Sequence, residues 1–449
     1  MKLGLTVACA LSVWTGLPVA LSGQSKVEPE AGPKPAVEAS SSKPGWCRHA
    51  ELPAWLGLGA ELRGRAELNH PFVSALNDRL YLNRLRLDVT LRPSRWVRFV
   101  VQAQDARAYG PAAVDRESQR NTLDLRQAYA DFGLDEEGWH LRAGRQELSA
   151  GDERLIGADS YWDTFGLAYD AVRLGYTGER LRLDAFTGFR VQPARRRLDP
   201  FDTASRISGL TLRFKTSGEG VVEPYFLWKR GGDTVDLTGS PGHRDVLTPG
   251  VRAQGDLPPS LDYNVEMALE RGHVVADRIA AWAGHWELGW KPLGREFGLR
   301  LALEYNFATG DQDPADGRYG TFDDLYPAGF NKYGMADPIA WRNIRYPAIG
   351  MEMPLTRRWT VYAAYRLFRL ASVHDGLYPG GDQYLVRNPL ATSAEVGSHA
   401  LVSAGYVPSS HWRFYAGTAT FSRASTCASP GAPRRCGPRT CNPASRSRR

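Results

Sequence analysis

Lysine is scarce in this chain: of 56 basic residues, eight are Lys and the rest Arg. Guanidinium meets carboxylate or phosphate through two donors at once, so the bias implies an anionic partner or many internal ion pairs. A GC-rich genome produces the same bias with neither. Cysteine is scarce too. Cys9, Cys47, Cys427, Cys436 and Cys441 all lie outside residues 57–421, which excludes a disulfide framework or a Cys-ligated metal from the main body. Past the N-terminus no apolar run approaches the roughly 20 residues that a membrane helix needs, so a helical membrane protein is excluded. There is no nucleophile elbow, His-Glu-x-x-His or P-loop. Neither an enzyme, a cofactor nor a nucleic-acid partner is expected.

What is present is alternation. Leu299, Leu301, Leu303, Tyr305 and Phe307 are separated by Arg300, Ala302, Glu304 and Asn306. A period of two places the first set on one face of a strand and the second on the other. Leu261, Tyr263, Val265, Met267 and Leu269 alternate in the same way with Asp262, Asn264, Glu266 and Glu270, and Leu85, Leu87, Val89 and Leu91 with Arg84, Arg86, Asp88 and Thr90. Charged residues suit a strand with lipid on one side and water on the other. A soluble sandwich or propeller also alternates, but over shorter strands. Short turns such as Arg92-Pro93-Ser94 and Pro354-Leu355-Thr356 take turns with long polar loops at 106–123, 148–169, 309–341 and 369–394. Trp96, Trp139, Trp228, Trp290, Trp359 and Trp412 stand near strand ends, as interfacial girdles require. The fold expected is all-β: a transmembrane antiparallel β-barrel of about 18 strands over residues 57–421.

The flanks differ. Residues 1–23 read as a secretory signal, with Lys2 before an apolar stretch and small residues near Ala20. Residues 24–56 are expected to be a flexible periplasmic segment, the first part of it rich in Pro, Ala, Ser and Glu. Residues 422–449 lack alternation and are expected to be a disordered Arg/Pro/Cys tail, replacing a final strand lost to frameshift or truncation.

Within the barrel, Arg126, Arg142, Arg173, Arg190, Arg252 and Arg300 are expected to face the lumen, mixed with carboxylates such as Asp131, Asp184 and Asp262. Exposed cations of this kind pass a polyanion through weak, replaceable contacts; paired with carboxylates they stiffen the wall instead. The adjacent Ser398 and His399 point to opposite faces, against a lipid-facing hydrolase site. Asp311, Asp313 and Asp316 form a weak Ca²⁺ candidate whose spacing is not that of an EF-hand.

Two stretches carry a family resemblance. One runs through Leu125-Arg126-Gln127-Ala128-Tyr129, Arg142-Ala143-Gly144-Arg145-Gln146-Glu147-Leu148, Gly151-Asp152-Glu153-Arg154-Leu155-Ile156 and Tyr169-Asp170-Ala171-Val172-Arg173-Leu174. The other joins Glu304-Tyr305, Gly310-Asp311, Asp313-Pro314, Asp316-Gly317, Thr321-Phe322-Asp323, Leu325-Tyr326-Pro327 and Trp341-Arg342-Asn343. Together they resemble the alginate export family. The resemblance implies an eighteen-stranded bacterial outer-membrane barrel with an electropositive constriction that conducts an anionic polysaccharide. Outer-membrane lipid and lipopolysaccharide are further partners expected of such a barrel, and periplasmic secretion proteins would supply the polymer. Carried over, it assigns Arg145, Arg154 and Arg173 to the constriction, although Arg145 needs a bulge or a strand end to leave the face of Leu141 and Ala143. The chain departs from the family where Phe330-Asn331 stand in place of a His. A general anion porin and a non-transporting surface platform are the rival readings.

Overall fold

A strand in lipid has no water to satisfy its backbone, so both its edges must be paired. The computed structural model of the protein describes residues 12–16, 52–69, 78–110, 120–133, 137–158, 164, 166–194, 198–216, 220–236, 238–294, 298–328, 332, 339–378 and 392–423. Among the described residues nineteen strands form one sheet. In order they are β1 (Ser12–Gly16), β2 (Leu56–Asn69), β3 (Asp78–Ser94), β4 (Val97–Tyr109), β5 (Asn121–Phe132), β6 (Gly138–Gln146), β7 (Tyr169–Thr177), β8 (Leu181–Val191), β9 (Phe201–Lys215) and β10 (Val221–Val235). There follow β11 (Pro241–Leu257), β12 (Leu261–Val274), β13 (Asp277–Trp290), β14 (Arg300–Ala308), β15 (Arg318–Tyr319), β16 (Ile344–Pro354), β17 (Trp359–Leu370), β18 (Glu395–Ser409) and β19 (Trp412–Arg423). Only the two-residue β15 runs parallel to its partner, β13. The other eighteen pair antiparallel, as the alternation predicted.

Each alternating strand turns its apolar set outward. On β12, Met267 and Leu269 are exposed while Glu266 and Glu270 are buried. Burial of a charged residue opposite an exposed leucine inverts the soluble rule, and marks lipid outside and a lumen within. The predicted loop at 106–123 is shorter than expected. Ala106 and Ala108 keep the inward alternation and are fully buried, so β4 continues to Tyr109 and β5 begins at Asn121.

The first and last long strands, β2 and β19, do not pair with each other among the described residues. Ser12–Gly16 lies between them, with Val13 opposite Gly64 on one side and Phe414 on the other. This short strand belongs to the stretch read as a secretory signal. Two bare strand edges offer unpaired N–H and C=O groups to any extended segment in reach. Residues 24–51 of the expected flexible segment, and 424–449 of the expected tail, lie outside the described residues.

Candidate functional site in the barrel lumen

The two long loops that follow β6 and β14 fold into the barrel. Ile156 bridges Tyr326, Tyr326 N–H donates to the Leu155 carbonyl (2.9 Å), and Gly157 N–H donates to the Tyr326 carbonyl (2.9 Å). Leu155, Ile156, Phe322, Leu325 and Trp341 are buried in one apolar cluster with Phe186, Ile207, Leu227 and Val246 from the wall. Where the loops dock, inward positions are apolar, because a packed interior needs apolar partners on both sides.

The motif Thr321-Phe322-Asp323 anchors the second loop. Asp323 takes Lys229 Nζ at 3.2 Å and pairs with Arg244, while its N–H donates to Glu270 Oε2 (2.8 Å). Burial would raise the Asp323 carboxyl, but Lys229, Arg244 and Arg342 outweigh it and hold it far below the usual range. Tyr326 reaches Ser205 Oγ at 3.0 Å, and its ring lies under Lys229 and Arg190. Asn343, at φ 45°, ties a third loop down by donating to the carbonyls of Ser372 (3.0 Å) and Gly376 (2.8 Å) and accepting from Ser372 N–H (2.7 Å).

Arg154 sits at the tip of the first loop. Its Nε donates to Asp152 Oδ2 (3.0 Å), and its Nη2 donates to His285 Nε2 (3.1 Å). His285 Nδ1 donates to Asn306 Oδ1 (3.0 Å), so a neutral imidazole protonated at Nδ1 satisfies both contacts. Lys332 lies 3.3 Å from Asp152. Burial works to raise the Asp152 carboxyl, yet Arg154 and Lys332 prevail and hold it well below its ordinary value. Next to it, burial pushes the Glu153 carboxyl up to about 7. Beneath this cluster a cavity of about 450 Å³ is lined by Arg154, Lys291, Arg300, Lys332 and Arg366 together with Asp152, Asp256, Asp262, Glu287, Glu304 and Glu352. Five cations face six carboxylates, so this part of the lumen is charge-mixed and not simply electropositive.

The arginines singled out from sequence are not gathered in one place. Arg154 and Arg300 share the cavity; Arg300 donates to Asp262 (2.6 Å) and pairs with Glu287. Arg142 and Arg173 are cross-strand neighbours at another point of the wall. Arg142 holds Asp131 (2.6 Å) over the Tyr129 ring, and Arg173 holds Asp184 (2.7 Å). Arg252 pairs with Glu223 (2.7 Å), and Arg190 lies 5.6 Å from the Tyr326 ring centre. Arg126 faces inward because an extra residue interrupts β5: Gln102 pairs with Gln127, but Ala103 pairs with Leu125. Its Nη2 donates to Glu147 Oε1 (2.9 Å). Arg145 has no such bulge. The β6–β7 register runs unbroken from Gly138 to Gln146, and Arg145 keeps the face of Leu141, bonding Asp170 (2.8 and 2.9 Å) and the Asp199 carbonyl (2.8 Å). It stands apart from the lumen cluster.

The three aspartates of the Ca²⁺ candidate each accept from a nearby backbone N–H. Asp311 Oδ2 accepts from Gly320 N–H (2.8 Å), Asp313 Oδ1 from Ala315 N–H (3.1 Å) and Asp316 Oδ1 from Arg318 N–H (2.8 Å). Among the described residues no group of three or more His, Cys, Asp or Glu is arranged to hold a metal. Phe330-Asn331 lie outside the described residues.

Solved structures of the same architecture include three from Pseudomonas aeruginosa. OpdQ is 9% identical at a TM-score of 0.53, covering 82% of this chain and 95% of its own. OccK3 (OpdO) is 11% identical at 0.50, covering 82% and 93%. OccK2 (OpdF), solved in complex with glucuronate, is 11% identical at 0.50, covering 81% and 96%. At such identities the likeness establishes the fold. No curated protein matches the sequence. The profile of the family described as alginate export matches residues 54–425, from before β2 to beyond β19. By that match, across the whole barrel, the chain belongs to the alginate export family of the bacterial outer membrane.

Proposed function

We propose that this barrel is a passive channel, not an enzyme, that exports an anionic polysaccharide of the alginate-like polyuronate class. The observation that carries the reading is the family match over the full barrel, joined to a lumen whose wall arginines hold carboxylates. A uronate carboxylate is chemically the same ligand as Asp131, Asp184 or Asp262. A passing chain therefore exchanges one guanidinium–carboxylate contact for another at small net cost, which suits passage better than tight binding. Arg142, Arg173 and Arg300 on the wall, and Arg154 on the inserted loop, are the groups proposed to meet the polymer. The signal at residues 1–23 is proposed to direct the chain to the periplasm, where secretion partners would deliver the polymer.

One observation favours the platform reading: the inserted loops pack the lumen with apolar side chains. Conductance of the purified protein in a planar bilayer decides between these. The expected result is anion-selective conductance that polyuronate blocks and a neutral polysaccharide does not. Conductance without that block would leave a general anion porin. Silence in the wild type, persisting after removal of residues 150–157, would leave the platform.

A further inference from the structure

The outward face carries a row of cations beyond its apolar band. Arg206 on β9 is directly opposite Arg230 on β10, and Arg230 is opposite Asp245 on β11. Asp245 is opposite His273 on β12, His273 is opposite Arg278 on β13, and Arg278 is opposite Arg318 on β15. Directly opposed residues share a face of the sheet. Arg206, Arg230, His273, Arg278 and Arg318 are all exposed. Within the row itself stands one carboxylate, Asp245, which lies 3.8 Å from Arg230 and also accepts from Trp228 Nε1 (2.6 Å). Among the described residues no carboxylate pairs with Arg206 or Arg278. A second pair, Arg345 opposite Arg369, faces outward on β16 and β17, but there Arg369 donates to Glu395 (3.1 Å) and the chain supplies its own anion.

Like charges directly opposite destabilise a sheet, so such a row points to an anion outside the chain. Its height is regular. Arg206, Arg230, His273 and Arg278 each lie four residues along their strand from an exposed apolar side chain: Leu210, Phe226, Leu269 and Trp282. Four residues span about 13 Å. All four are on the side of the long loops, the rim assigned to the cell exterior.

We propose that this row is a docking surface for a multiply phosphorylated glycolipid of the outer leaflet. Its phosphates would sit on Arg206, Arg230, Arg278 and Arg318, and its acyl chains along Leu210, Phe226 and Leu269. A soluble polyuronate offers anions but nothing to cover the apolar band below, and so fits the surface less well. The inference does not depend on what passes through the lumen.

Native mass spectrometry of the full chain, released from detergent, tests it with bis-phosphorylated lipid A and the same lipid stripped of phosphate. The expected result is selective retention of the phosphorylated lipid, weakened roughly tenfold or more in an Arg206→Gln/Arg230→Gln/Arg278→Gln variant. Folding of the variant is checked by heat-modifiable gel mobility. Equal retention of both lipids by the wild type would overturn the proposal even if the variant does not fold. So would unchanged retention by a folded variant, or displacement of the lipid by polyuronate.

Discussion

Adjacent residues on the inserted loop respond to pH in opposite senses. Glu153 has its carboxyl raised from 4.5 to about 7 by burial, so its contribution to loop docking is full below 4.5 and lost by about 7. Asp152 is depressed by Arg154 and Lys332, after burial has worked against them. Its contribution is full above 3.8 and disappears only in stronger acid. Of these two, Glu153 is the one that changes between pH 4.5 and 7, and the loop is expected to loosen as pH rises. Protease cleavage within residues 147–158 should accelerate over that window in the wild type and stay level in Glu153→Gln. A wild type as flat as the variant would remove Glu153 from loop docking.

The loops keep their place through a few polar anchors set among apolar contacts. Asn343 is one. Its φ of 45° is a conformation that Asn tolerates better than most residues, and its amide holds three buried bonds to the loop at 371–378. Asn343→Ala removes these bonds and leaves two carbonyls and one N–H without partners. We expect a loss of about 2–4 kcal/mol in folding stability. Urea unfolding of the protein in lipid vesicles would show it as a lower midpoint with an unchanged slope. An unshifted midpoint would mean that water replaces the amide at no cost. The β5 bulge acts at the same scale: one extra residue turns Arg126 inward, and its absence from β6 leaves Arg145 on the other face.

For the molecule as a whole, the sheet depends on how its first and last long strands are joined. Residues 12–16 stand between β2 and β19, yet they lie in a stretch with the features of a removable export signal. The two roles exclude each other in one mature chain. Intact mass of the protein recovered from the outer membrane distinguishes them. Because the apolar stretch with Lys2 ahead of it and small residues behind is what signal peptidase reads, removal near residue 23 is the expected outcome. A retained N-terminus would make Ser12–Gly16 a structural strand.

Strand identity, the lipid face and the barrel class could be read from the chain alone, since a period-two pattern is local and its two solvents differ. The pattern in Leu261 to Glu270 states both faces of β12 without reference to any other strand. The resemblance carried by Thr321-Phe322-Asp323 and Gly151-Asp152-Glu153-Arg154 marked the right segments but not their work. That work rests on partners far away in sequence: Arg154 meets His285, 131 positions on, and Asp323 meets Lys229, 94 positions back. Loops rich in Gly, Asp and Pro read as exposed connections, and no local signal says that two of them turn inward to pair. Residue types and alternation determined where this protein meets lipid. Only the tertiary structure decided what fills its lumen and which arginines stand together, because those depend on contacts across the barrel and on single-residue shifts of register.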